Sequence, residues 1–129
     1  MAIIIDRSQA PALLRYTLSG SFPTLQEQST AREGEIAAGA LTAETRGLID
    51  MREVTSLPHV DQIMTRSGQP ATWPLRRVYL VKPGEQFGVA RQMQILAPAR
   101  MQIAIYTDEQ EALAWLLGTE AGGTSSSSQ

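Results

Sequence analysis

No cysteine occurs anywhere in the chain. That absence excludes disulfides, thiolate metal centres and thiol nucleophiles together, and it fits a reducing compartment. Histidine is nearly as scarce, with His59 the single copy. A metal site would therefore lean on carboxylates, and the acids show no grouping that points to one. Charge of one sign is also missing. A net charge of −2 supplies no broad positive field to hold nucleic acid. No apolar run approaches the roughly 20 residues that span a bilayer. The opening MAIIIDRSQAP has neither the basic segment nor the apolar length of a secretory leader. Gly-x-Ser-x-Gly, His-Glu-x-x-His and Gly-x-Gly-x-x-Gly are absent as well. The expectation is a cytoplasmic protein with no membrane span, no nucleic-acid partner, no metal, no cofactor and no enzymatic activity.

What is present is ordinary for one folded unit. A chain of 129 residues builds one core, not two comfortable ones. Its apolar share of 43% is enough for that core. The last segment, GTEAGGTSSSSQ, lacks apolar content and is rich in Gly and Ser. We expect a domain over 1–117 and a flexible tail over 118–129, of native or tag origin.

Apolar runs alternate with longer mixed segments. Ile3 to Ile5 and Leu13 to Leu18 are two short strands with hairpin spacing. Thr24 to Glu27 reads as a capping box opening a helix from Leu25 to Ala38, although its apolar face is thin and Gly34 weakens it. Gly47 to Met51 is the next strand, and Pro58 to Arg66 a short helix. Ser67 to Pro74 is a loop. Val78 to Val81 is an unbroken apolar run, as suits a strand covered on both faces. Gly84 to Leu96 carries a helical stripe ended by Pro98. Met101 to Tyr106 is the last strand, and Asp108 to Leu117 the last helix, with Trp115 facing inward. The order β-β-α-β-α-β-α-β-α predicts an α/β domain with a mostly parallel sheet and an antiparallel N-terminal strand.

The segments LIDMREVTSLP, RRVYLVKPGEQFGVARQ and IAIYTDEQEALAWL carry a family resemblance. The marks are Asp-x-Arg after the third strand, Phe-Gly-x-Ala-Arg in the next long helix, and Ala-Leu-Ala-Trp-Leu near the end. Together they resemble bacterial STAS-like domains of the anti-sigma factor antagonist type, the SpoIIAA-like or STAS/SEC14-type family, over about Tyr16 to Leu117. The resemblance implies a regulatory or binding domain without known enzymatic activity. It also implies a departure. In phosphorylatable members an Asp-Ser-Ser-Gly-like turn follows this strand. Lined up from Asp50, that turn falls on Pro58, His59, Val60 and Asp61, where no hydroxyl stands. Thr55 and Ser56 lie a few residues earlier.

Ligands of parallel sheets sit beyond the carboxyl ends of the strands. That rim gathers Arg52, Ser56, Lys82, Gly84 and Gln86, and helix N-termini there favour anions. A phosphate or carboxylate site is one reading. The other makes Arg52 a surface ion-pair partner, Lys82 a solvated charge and Gly84 a turn former. Ser56 shapes the turn before Pro58, and His59 is a half-exposed residue at a helix start. Gly88 and Arg91, one turn apart, either meet a ligand or let the helix pack closely while Arg91 reaches an acid. Met64, Trp73 and Phe87 are candidates for a protein interface, and Trp73 equally for a core edge. Glu33 with Glu35, and Asp108 with Glu109, read as solvated helix charges. The partner is expected to be a protein or a second copy. A small anionic or lipid ligand, as the SEC14 relationship implies, is the alternative.

Overall fold

Side chains on a strand point alternately to its two faces, and the central apolar runs of this chain are apolar on both. The computed structural model describes residues 2–64 and 71–118. Among them the elements run β1 (Ala2–Asp6), β2 (Leu13–Ser21), α1 (Leu25–Ala37), β3 (Arg46–Ser56), α2 (Val60–Met64), β4 (Arg76–Leu80), α3 (Glu85–Leu96), β5 (Gln102–Tyr106) and α4 (Glu109–Leu117). The strands form one sheet in the order β1-β2-β3-β4-β5. β1 pairs antiparallel with β2, Ile3 opposite Leu18. The other three pairings are parallel, with Leu48 opposite Val78 and Val78 opposite Ala104. The result is a single α/β domain of the expected order and strand directions.

Neighbours in sequence are neighbours in the sheet. Right-handed crossovers then put α1, α2 and α3 on one face. Among the described residues no strand follows α4, and that helix covers the other. Ile49, Met51, Tyr79, Val81 and Ile105 pack under Ile63 of α2 and Ala90 and Met93 of α3. Their alternates Leu48, Val78, Leu80 and Ala104 pack under Ala112 and Leu116 of α4. Deleting a side chain such as Leu48, fully buried here, costs about 2–5 kcal/mol in comparable cores.

Several details differ from the sequence reading. β3 runs on to Ser56 instead of ending near Met51, because β2 continues beside it and pairs Ser19 with Glu53 and Ser21 with Ser56. Residues 52–56, expected in a turn, are therefore strand. The second helix is Val60–Met64; the expected extension through 66, the loop over 67–70 and the tail over 119–129 lie outside the described residues. Ser56 does not shape the helix start. That role falls to Gln62, whose side-chain oxygen accepts from the His59 amide.

α1 has the capping box its sequence predicts: Thr24 Oγ1 accepts from Glu27 N, and Glu27 accepts from Thr24 N. Its interior face is unusual. Leu25 and Ile36 are exposed, and Glu35 is its one buried residue. Arg7, in the β1–β2 connection, forks onto that carboxylate at 2.6 and 2.8 Å. Glu35 is thus a buried, paired acid, not the solvated charge expected from sequence. A carboxylate with this burial persists only when paired and hydrogen-bonded.

Gly47, at the start of β3, marks a close approach. A Cβ there would lie 2.4 Å from Pro74 Cγ, and both residues are buried. Gly47→Ala is expected to destabilise the fold by about 1–3 kcal/mol through overpacking. Urea denaturation checks this; an unchanged midpoint would mean that the Pro74 segment yields freely.

Candidate functional site

The rim where β3, β4 and β5 end does not assemble the open anion site. Arg52 stands two residues after Asp50 on β3, so both side chains leave the same face. Its guanidinium donates to both Asp50 oxygens, at 3.0 and 2.9 Å, and to Glu109 at 3.3 Å. Arg15 of β2 closes the set, donating to Glu109 at 3.0 Å and to Asp50 at 3.3 Å. Two guanidiniums and two carboxylates cancel. Because Glu109 is the first residue of α4, the quartet ties that helix to β2 and β3.

The other rim residues are occupied by the fold. Gln86 is buried; its oxygen accepts from the Lys82 amide, and its nitrogen donates to the Val54 carbonyl. Gly84 sits at φ 101°, a conformation L side chains rarely adopt, and begins α3. Lys82, Ser56 and Arg91 are exposed. Of the interface candidates, Met64 is exposed. Phe87 is half-buried and packs on the α2–α3 core, so it offers little free surface. Trp73 is half-buried against Leu14, Ala40 and Leu41, which is the core-edge alternative. Trp115 is half-buried beside the α4 core, with the Arg76 guanidinium 3.8 Å over its ring. Among the described residues no three His, Asp or Glu side chains are grouped to hold a metal, and no helix is long and apolar enough to cross a membrane.

A more open feature lies on the opposite face. α1 makes few close backbone approaches to any strand, unlike α4. With little apolar surface to seal it down, it leaves a cleft of about 280 Å³ between itself, β4, β5 and α3. Arg32, Arg77, Gln28, Ser29 and Thr72 supply its polar lining; Tyr79, Met93, Leu96 and Ile103 are among the apolar groups. A smaller hollow of about 70 Å³ adjoins it, sharing Gln28, Arg32, Arg77 and Tyr79 and adding Tyr16. Burial pushes the Tyr16 phenol up to about 12, so it stays neutral. Arg77 is fixed by donating to the Pro74 and Thr72 carbonyls and to the Thr72 hydroxyl.

Sequence reasoning missed Arg15, Arg32, Arg77 and the pairing of Glu109. Asp-x-Arg in a strand was a usable signal, because i and i+2 share a face. Nothing local in the sequence signals that Glu109 would reach them, since that depends on how α4 docks.

Neither a family profile nor a curated protein matches the chain. Among solved structures it is similar to an uncharacterised protein of the DUF3478 family from Shewanella loihica PV-4, which has a SpoIIAA-like fold. The likeness covers 89% of this chain and 92% of that one, at 21% identity and a TM-score of 0.59. The strand order, the antiparallel first strand and this likeness define a SpoIIAA-like α/β fold, which is what the sequence resemblance implied. Identity at this level establishes the fold alone.

The quartet has a pH signature. Burial alone would raise the Asp50 carboxyl, but the hydrogen bonds and charge of Arg52, with Arg15 behind, outweigh it and hold it below its ordinary value. The Arg15 hydrogen bond does the same for Glu109, against a smaller opposing effect of burial. Carboxyls depressed by folding contribute stability above their unfolded values, near pH 4, and lose it as pH falls through the folded values. Asp50→Asn is expected to lose about 1–3 kcal/mol at neutral pH. The wild type and this variant should then converge in stability as the pH drops below about 4. Denaturation across that range checks it; a gap independent of pH would show that the carboxylate charge is not what matters.

Proposed function

We propose that this chain is a non-enzymatic regulatory or protein-interaction domain of the SpoIIAA-like kind, acting in the cytoplasm without the usual serine phosphorylation switch. One observation carries the second half of that reading. The turn between β3 and α2 consists of Leu57, Pro58 and His59, and no hydroxyl stands at the start of α2. Thr55 and Ser56 are held in the strand, Ser56 paired with Ser21 and its carbonyl accepting from Phe22 N. Phosphorylation adds up to two negative charges and reshapes a helix start only where it lands. A phosphate on Ser56 would fall within the ladder, not at the α2 terminus. The lack of cysteine and the exposed, solitary His59 favour binding over turnover.

The partner surface in this reading is the outer side of α2, where Met64 is 53% exposed. Light scattering coupled to size exclusion is expected to show a defined dimer or complex that Met64→Asp disrupts. A strictly monomeric chain that forms no stoichiometric complex would contradict the reading. Mass spectrometry of chain recovered from its host is expected to find Thr55 and Ser56 unmodified.

A second reading, a small-ligand carrier, is favoured by the α1–α3 cleft. Its volume of about 280 Å³ lies just below the range of about 300–1,000 Å³ typical of ligand sites. That is room for a compact molecule and not for a two-chain lipid.

A further inference from the structure

We propose that the cleft between α1 and α3 binds a small organic anion, an aromatic or branched acid whose charged end lies between Arg32 and Arg77. The inference deepens the carrier reading and rests on it. Its basis is an imbalance of charge. Both guanidiniums line the cleft and also the adjoining hollow. Among the described residues no Asp or Glu lines either space. Among the described residues neither arginine makes an ion pair, whereas Arg7, Arg15 and Arg52 each do.

The two cations feel one another. Burial and the Arg77 charge push the Arg32 guanidinium down, with the adjacent Glu33 only partly offsetting them. Glu33 follows Arg32 directly on α1, where adjacent positions do not face each other; it is not among the cleft-lining residues, and its carboxylate accepts from the Ser29 hydroxyl at 3.5 Å. Arg77 spends its hydrogen bonds on uncharged acceptors, which fix its position and leave its charge uncancelled. Two half-buried guanidiniums facing one cleft are costly until an anion enters. A carboxylate or sulfonate is the match, because a planar guanidinium fork donates to two oxygens at once.

The remaining walls set the body of the ligand. Tyr79, Met93, Leu96 and Ile103 give it an apolar bed, and Gln28, Ser29 and Thr72 line the polar side. An inorganic anion would leave that bed unused. A neutral apolar molecule would leave the arginines unanswered. The occupant is therefore amphipathic and anionic, with an apolar body that fits a space of about 280 Å³.

Titration with sodium naphthalene-2-sulfonate tests this, with 2-naphthalenemethanol as the neutral counterpart. Calorimetry gives affinity, and amide chemical shifts give location. The sulfonate is expected to bind with a dissociation constant below about 1 mM, shifting Met93, Leu96 and Ile103. Arg32→Gln is expected to weaken it at least tenfold. Ser29→Glu, which sets a carboxylate one turn before Arg32 on the helix surface, is expected to do the same if Arg32→Gln disturbs the fold. Equal binding of the alcohol in the cleft would leave a carrier and overturn the anion. Undiminished sulfonate binding in both variants, or shifts elsewhere, would overturn it too. If neither compound binds in the cleft, the carrier reading fails along with it.

Discussion

The two-sided burial of β3 is the constraint from which the rest of the structure follows. Leu48 faces α4 while Ile49 and Met51 face α3, so both sides of the strand must be roofed. A strand of that kind belongs inside a parallel sheet with helices on both faces. The three crossovers cover one side. Among the described elements the last helix covers the other, and the Arg15–Asp50–Arg52–Glu109 quartet fixes where its first turn lands. Desolvating Asp50, whose side chain is 9% exposed, would be unfavourable alone. Two arginines and the hydrogen bonds they donate make it tolerable and give the helix a defined docking point.

The helical face is sealed unevenly. α3 places Ala90 and Met93 in the core, and α2 adds Ile63. α1 contributes no fully buried apolar residue, and its buried Glu35 reaches Arg7 at the far end of the sheet. Its cap stabilises the helix itself, and the Arg7–Glu35 ion pair ties it to the β1–β2 connection. A helix so attached leaves space beneath itself, and the cleft with Arg32 and Arg77 occupies that space. The weak amphipathicity of α1 and the presence of a candidate ligand site are one fact seen from two sides.

Element order, strand direction and the parallel centre were legible in the sequence, because strand runs such as Val78 to Val81 are apolar on both faces and the Thr24 cap is local chemistry. The extent of β3 was not. Arg52, Glu53 and Ser56 are polar and read as a turn, yet β2 continues beside them and keeps them extended. The candidate site was legible least of all. Arg52 and Lys82 looked like a shared anion pocket because the rim rule gathers them, but Arg52 is neutralised by two acids on its own face. Arg32 and Arg77 are 45 residues apart in sequence, and their meeting depends on tertiary placement that no local pattern encodes.

β3 lies between β2 and β4, parallel to both. Cross-strand proton contacts in a labelled sample test it directly. Backbone contacts are expected to link Leu48 with Val78 and Val78 with Ala104, without the close Hα–Hα pairs of antiparallel neighbours. Strong Hα–Hα contacts between β3 and β4, or none joining these residues, would contradict it and remove the ground for the fold, the cleft and the ligand alike.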